Sequence, residues 1–313
     1  MVVAMGRRVE FTVPASDDGA RVDAWLGRAV PSLSRRGAKD LIKGGGVRVN
    51  GSKVSPAQAL CAGDQLEVVL PTPPLSPAPE VCVLATDPDI LYLAKPAGLH
   101  TVRLRLDDPP TLADAAAAID PACLHASDDP REAGALHRLD LGTSGVVAFA
   151  RSADAWVRGR AALPGSWKLY LACADHAPGR WPPAPASFVR VVGAPARWPE
   201  TASLPRPSLP GVETTWPLRG TGSRGHRVRV DPEGRAAACR IWQVADRLFA
   251  VELLGGRRHQ IRVHMAALGL ALACDPLYGS GHAGAHAQLH AWAFQLGPQQ
   301  RVVIAPPPTW VSR

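Results

Sequence analysis

Residues 71–79 read Pro-Thr-Pro-Pro-Leu-Ser-Pro-Ala-Pro. Each proline fixes its own φ, removes a backbone donor and pushes the preceding residue out of the helical region, so neither a helix nor a central strand can run through this stretch. A chain of 313 residues broken here reads as two separately packed parts. We expect a small domain over residues 1–70, a proline-rich linker over 71–80 and a larger domain over 81–313.

In the first part, Val22, Trp25, Leu26 and Ala29 follow i, i+3, i+4, i+7 spacing, which gives Arg21 to Val30 one apolar helical face. A second helix is expected directly after it, capped by Ser34, striped by Ala38, Leu41 and Ile42, and ended by Gly44-Gly45-Gly46. Val47 and Val49 then alternate up to Asn50-Gly51, a dipeptide suited to a tight hairpin, and Leu66, Val68 and Leu70 alternate after Gly63-Asp64. On the second helix Arg35, Lys39 and Lys43 recur every four residues beside Arg36, and Arg48 flanks the hairpin. Charges at helical spacing usually mark a solvated face. A stripe of one sign, interrupted only by Asp40, is also what neutralising phosphates requires.

Beyond the linker, Ile90 to Ala94, Gly145 to Ala150 and Trp167 to Cys173 read as strands, Ser152 to Leu163 and Gln260 to Leu268 as helices, and residues 174–235 as loops and short strands. The elements are mixed without β-α-β alternation. The expected class is therefore α+β, a mixed and largely antiparallel sheet with flanking helices and loops, preceded by a small α/β domain.

Lysine and arginine total 35 against 27 acidic residues, a net charge of +8 that favours a polyanionic partner without naming it. Cys61, Cys82, Cys123, Cys173, Cys239 and Cys274 stand singly, with no C-x-x-C pair, as in a cytoplasmic protein with reduced thiols. The first residues carry no apolar run followed by a cleavage site, and no segment is long enough to cross a bilayer, so neither export nor a membrane is expected.

The densest cluster of reactive groups is His137-Arg138-Leu139-Asp140, followed by Thr143-Ser144-Gly145 and a strand. Alone it is compatible with a surface ion pair or a turn in which Asp140 binds nearby amides. Downstream comes Gly256-Arg257-Arg258-His259-Gln260-Ile261-Arg262-Val263-His264, where helical spacing puts Arg258 and Arg262 on one face, two guanidiniums suited to a carboxylate or phosphate. Lys168 and Tyr170 sit two apart in a strand and so share one side of the sheet, with Tyr170 a plate on which a base can stack.

These segments together resemble the RluA-type pseudouridine synthases. Lys95-Pro96-Ala97-Gly98-Leu99, the His137 to Asp140 segment with Thr143-Ser144-Gly145, Lys168-Leu169-Tyr170, Gly256-Arg257 with His259 to His264, Asp275-Pro276-Leu277-Tyr278-Gly279 and Leu289-His290-Ala291 match that family's motifs in order. Arg21-Val22-Asp23, Ser34-Arg35-Arg36, Leu41-Ile42, Val47 to Gly51 and Gly63-Asp64 similarly resemble the S4 RNA-binding domain. The resemblance implies isomerisation of a specific uridine in structured RNA, ribosomal or transfer RNA with the S4-like part favouring ribosomal, with no cofactor or metal and with RNA as the partner of a monomer.

It implies Asp140 as the essential carboxylate, nucleophile or base at the sugar, with Arg262 as its cationic partner and Tyr170 against the base. Arg138 would fill the gap left by the flipped uridine. Lys95, Lys168, His137 and Arg258 would line the substrate site, and Arg35, Arg36, Lys39, Lys43 and Arg48 would meet RNA in the S4-like part. The chain departs from the family at Arg258, where a small hydroxyl residue is usual, at Gly255 for threonine, at Thr101 for proline, and over residues 234–239. Two rivals are an RNA-binding or ribosome-assembly protein that has lost turnover, and a hydrolase that frees the base. His282, His286 and His290 recur every four residues, but Gly284 weakens a helix there and no carboxylate or thiol accompanies them.

Overall fold

The computed structural model describes residues 7–30, 33, 35–70, 79–103, 108–129, 131–184, 186–199, 204–221, 227–279, 281 and 286–312, with the backbone alone at residues 7, 35, 36 and 312. Residues 71–78 of the expected 71–80 linker, the Ser34 cap, the side chains of Arg35 and Arg36, and His282 thus lie outside the described residues.

The first part runs β1 (Arg7–Thr12), α1 (Val22–Ala29), α2 (Arg35–Lys43), β2 (Val47–Val49), β3 (Ser52–Lys53) and β4 (Gln65–Leu70). Both helices fall where the apolar spacing put them. Val22, Trp25 and Leu26 of α1 and Ala38 and Ile42 of α2 pack on Val47, Val49, Leu66, Val68 and Leu70 of the antiparallel sheet β1-β4-β2-β3. Asn50 and Gly51 both take positive φ in the β2-β3 turn, the conformation that a two-residue hairpin of this kind demands. Strand β1 was not anticipated, although Val9 and Phe11 alternate within it and pack on the same core.

The larger part comprises β5 (Cys82–Thr86), β6 (Ile90–Lys95), α3 (Leu112–Ile119), β7 (Ser144–Ala150), α4 (Ala153–Ala162), β8 (Trp167–Cys173), β9 (Val189–Val192), β10 (Gly211–Thr214), β11 (Leu218–Thr221), β12 (Arg227–Val230), β13 (Ala238–Gln243), β14 (Leu248–Leu254), α5 (Gln260–Ala267), β15 (Leu289–Gln295) and β16 (Val303–Ile304). One sheet orders β5-β6-β7-β15-β8-β14-β13-β10-β9, with β16 on β15, while β11 and β12 form a separate ribbon. The pairings are antiparallel except β7 with β15. The architecture is the α+β class expected.

Burial on both faces explains the continuous apolar runs. Tyr92, Val146 and Ala148 feed one cluster of the core, and Leu91, Leu93, Val147 and Phe149, one position out of phase, feed another. At the start of β7, Gly145 has φ +119 and faces Ala291; a Cβ there would lie 2.1 Å from the Ala291 carbonyl oxygen. Glycine is what lets β7 approach β15 this closely, and the approach fixes the loop that carries Asp140. Helix α3 was missed, though Thr111-Leu112-Ala113-Asp114 forms a reciprocal capping box at its start. No helix among the described residues is long and apolar enough to cross a membrane.

Candidate active site

Asp140 lies on the loop between the core residue Leu136 and β7, with its backbone carbonyl accepting from the Thr143 amide at 3.0 Å. The loop is pinned from below. Thr101, buried, donates to the Leu139 carbonyl at 3.0 Å and accepts from the Leu139 amide at 3.1 Å. The hydroxyl that departs from the usual proline therefore clamps the residue next to Asp140 on both sides.

Lys95 was expected to face substrate, and the structure corrects this. Its side chain is 1% exposed, and its ammonium donates to the carbonyls of Pro96 (2.9 Å), Leu99 (2.6 Å) and Leu141 (3.1 Å). Burial pushes the ammonium down to about 7, while the charge of Asp140 draws it back up, and three carbonyl acceptors also favour the charged form. Lys95 thus ties two loops together beneath Asp140. His137 is half-buried: its Nε2 accepts from the Ala148 amide at 3.3 Å and its ring rests 4.6 Å from that of Phe294. Burial lowers it to about 3, so it is a neutral scaffold group.

Arg262, from the first turn of α5, makes a two-pronged pair with Asp275: Nε donates to Oδ2 at 2.8 Å and Nη2 to Oδ1 at 2.6 Å. Asp275 is 0% exposed and also accepts from the amides of Leu277 (2.9 Å) and Tyr278 (3.2 Å). Burial works against its charge, but Arg262 and the two amides more than offset this and hold the carboxyl below the ordinary carboxylate range. The remaining guanidinium nitrogen, Nη1, stands 3.7 Å from Oδ2 of Asp140, whose side chain is 36% exposed. Arg262, expected to pair with Asp140, bridges two carboxylates, one buried and closed, one accessible and loosely held. The ring of Tyr278 covers the guanidinium, 5.1 Å from Cζ.

Tyr170 points from β8 into the same neighbourhood. It is 8% exposed and packs with Val251, Ile261 and Ala291, so it forms a wall of the site rather than a free plate. Burial first, and then the charge of Asp140, push its phenol up; it keeps its hydrogen. Lys168 reaches the Gly255 carbonyl at 3.4 Å, and burial lowers its ammonium. Arg138 is exposed beside Asp140.

Arg258 is exposed too, but it does not share a helical face with Arg262. The chain turns at His259, whose φ of 54° is left-handed, and α5 begins only at Gln260. Gly255 has φ +129, a conformation that disfavours any side chain.

In the S4-like part, Lys43 and Arg48 are exposed, with Arg48 donating to the Gly51 carbonyl at 2.8 Å. Lys39 lies 3.6 Å from the buried carboxylate of Asp23, which also binds Arg21. The basic face is thus partly neutralised by a residue from α1, which helical spacing within α2 cannot show.

Four residues were left without a role by the sequence: Asp275, Tyr278, Thr101 and Thr214, the last bound to Nδ1 of buried His264 at 2.7 Å. Asp275 and Tyr278 carried a signal, since both stand in the quoted C-terminal motif. Thr101 was marked only as a departure from proline, and Thr214 carried no signal. Of the histidine run, His290 lies in β15 with its Nδ1 2.8 Å from Ser144 Oγ, and among the described residues no group of three His, Cys, Asp or Glu is placed to hold a metal.

Comparison with known proteins gives this geometry its context. The family model described as RNA pseudouridylate synthase matches residues 89–267, and the S4 domain model matches residues 20–66. A protein of Xanthomonas campestris pv. campestris named ribosomal large subunit pseudouridine synthase D is 31% identical over 281 residues, covering 86% of this chain and 74% of that one. A protein of the same name from Neisseria meningitidis serogroup A is 30% identical over 283 residues, covering 87% and 67%. Among solved structures, human RNA pseudouridylate synthase domain containing 1 superposes with a TM-score of 0.50 at 19% identity, covering 73% of this chain and 84% of that one, a likeness of fold. A family model spanning more than half of the chain, and relatives at this identity along most of it, decide the matter: the chain belongs to the RluA-type RNA pseudouridine synthases and carries an S4 domain.

Proposed function

We propose that the enzyme isomerises a uridine in structured ribosomal RNA with Asp140 as the carboxylate that acts at the sugar. One observation carries the reading: Asp140 stands accessible, 3.7 Å from a buried Arg262 whose fork is already closed on Asp275. The cation offsets the cost of placing a charge in a partly dry site without covering the carboxylate oxygens, which remain open to substrate. The names of the relatives and the S4 match favour ribosomal RNA.

In this reading the uridine leaves its stack, exposed Arg138 fills the gap, and the base enters beside Tyr170. Asp140 then adds to the sugar or removes a proton from it, the N-glycosidic bond breaks, and the sugar is rejoined to carbon 5, whose proton is lost as the former glycosidic nitrogen gains one. Substrate and product are isomers, so the residues present suffice for the chemistry. The test is product analysis with the purified protein and ribosomal RNA from cells lacking it. Pseudouridine supports the proposal; bound but unchanged RNA supports a binding-only protein, and released uracil a hydrolase.

The same proposal gives Tyr170 a role at the base. Tyr170→Phe is expected to keep RNA affinity and lower kcat, since it removes only the hydroxyl. Tyr170→Ala should also lose about 3 kcal/mol of stability, as for other large-to-small core changes. Kinetics and melting of both variants check this; wild-type kcat in the Phe variant means that the ring is core packing alone.

We further propose that residues 1–70 are an RNA-binding domain, 71–80 a linker and 81–313 the catalytic domain. The self-contained core of the first part supports this. Removing residues 1–80 should leave a folded protein that binds ribosomal RNA more weakly and with a shallower dependence on salt. Equal affinity and equal salt dependence in both proteins would contradict the assignment.

A further inference from the structure

His259 occupies a position that helix formation does not explain. It is a non-glycine residue at φ 54° ahead of α5, a conformation that costs on the order of 1 kcal/mol and tends to persist where a side chain must be aimed. No side chain caps α5, and Gln260 Oε1 fastens the turn ahead of the helix by accepting from the Arg257 amide at 2.9 Å. What the turn does is drive the buried His259 imidazole between Asp140 and Tyr278, with Nε2 3.8 Å from Asp140 Oδ2 and Nδ1 2.9 Å from the Tyr278 hydroxyl.

The Val228 amide lies 2.8 Å from the Tyr278 hydroxyl oxygen, and a backbone N–H can only donate, so the phenol oxygen accepts there. Its own hydrogen is free to be donated to His259 Nδ1, 2.9 Å away. Burial lowers the imidazole pKa against the upward pull of Asp140, which leaves the ring neutral. A neutral ring that accepts at Nδ1 carries its hydrogen on Nε2, the nitrogen that faces Asp140. Arg262 Nη1 approaches Oδ2 of Asp140 as well.

We propose that His259 is a positioning residue for the reaction: Tyr278, anchored by Val228 of β12, locks it as the Nε2–H tautomer, and with Arg262 it holds Oδ2 of Asp140 so that Oδ1 is the oxygen presented to the sugar. The inference rests on Asp140 as the reacting carboxylate. The two contacts of 3.7 and 3.8 Å shorten to hydrogen bonds when substrate displaces water, as contacts in unliganded sites commonly do. The relay also ties the seating of the β11-β12 ribbon to the orientation of the carboxylate.

The test has a spectroscopic arm and a kinetic arm. In protein labelled with 15N-histidine, the His259 signal, identified by its loss in His259→Gln, should show the neutral Nε2–H pattern and change in Tyr278→Phe. With ribosomal RNA from cells lacking the enzyme, His259→Leu should lower kcat about tenfold, the worth of one hydrogen bond to a charged group, with KM unchanged. His259→Gln, which offers an amide donor toward Asp140, should recover most of the loss. Tyr278→Phe should lower kcat in the wild-type background and have no effect in the His259→Gln background, because no tautomer is left to lock. Melting curves identify any variant that fails to fold, and the Gln variant then carries the comparison. An Nδ1–H pattern in the wild type overturns the inference, as does Tyr278→Phe lowering His259→Gln by the same factor as wild type. If wild type leaves this RNA unchanged, the functional proposal fails and the positioning role with it, while the spectrum still decides whether Tyr278 locks the His259 tautomer.

Discussion

Asp140→Asn is expected to bind ribosomal RNA as the wild type does and to turn it over at least about a thousandfold more slowly, the scale on which removal of a reacting group acts. The substitution is nearly isosteric. The loop is held by Thr101 on Leu139, by Lys95 on Leu141 and by the Thr143 amide on the Asp140 carbonyl, and none of these contacts uses the Asp140 side chain. With 36% of that side chain exposed and its nearest cation 3.7 Å away, little folding energy depends on its charge. The neutral amide is a very poor nucleophile and base. Pseudouridine formation and RNA titration on the same preparation separate the effects, and joint loss of binding and turnover would mean that Asp140 is structural.

Asp275→Asn acts on the other side of Arg262 and should be costly to the fold. Oδ1 of Asp275 serves Arg262 and the amides of Leu277 and Tyr278, while Oδ2 takes the Arg262 Nε–H. An asparagine can present its oxygen to the two amides or to the guanidinium, but its NH2 then meets another donor. One partner is left unsatisfied, and Arg262 loses its buried counter-charge. Breaking a pair of this kind costs about 3–5 kcal/mol, which for a domain of this size lowers the melting temperature by roughly 10 °C. Freed from the fork, Arg262 no longer holds its position against Asp140, so kcat should fall at least about tenfold at temperatures where the variant is folded. A melting temperature within about 2 °C of wild type would show that the fork contributes little.

The contrast between Asp140 and Asp275 also shows what the chain discloses before it folds. Asp140 stood out because a motif before a strand and a second motif on a helix called for each other, and α5 and β7 brought them together. The role of Asp275 depends on the turn after α5 folding back beneath the helix, a tertiary fact that spacing does not encode. Arg258 was set on a helical face because the 3.6-residue period continues through it; the left-handed turn at His259 interrupts that period. Lys95 was set at the substrate by the resemblance alone, yet three backbone carbonyls converge on it from two loops far apart in sequence. Strands β13, β14 and β15 escaped notice because Arg240, Glu252 and His290 break their apolar runs without setting up a full alternation. The helices of the S4 domain, each with one wet and one dry face, were legible for the opposite reason.

The central claim is that this enzyme makes pseudouridine in ribosomal RNA through Asp140, and mapping pseudouridine across the ribosomal RNA of cells that lack it tests this most directly. Cells complemented with wild type should regain at least one pseudouridine that is absent from the deletion strain, and cells complemented with Asp140→Asn, at equal protein level, should not. A map that is identical in all three, or a site restored by the Asn variant, would contradict the account.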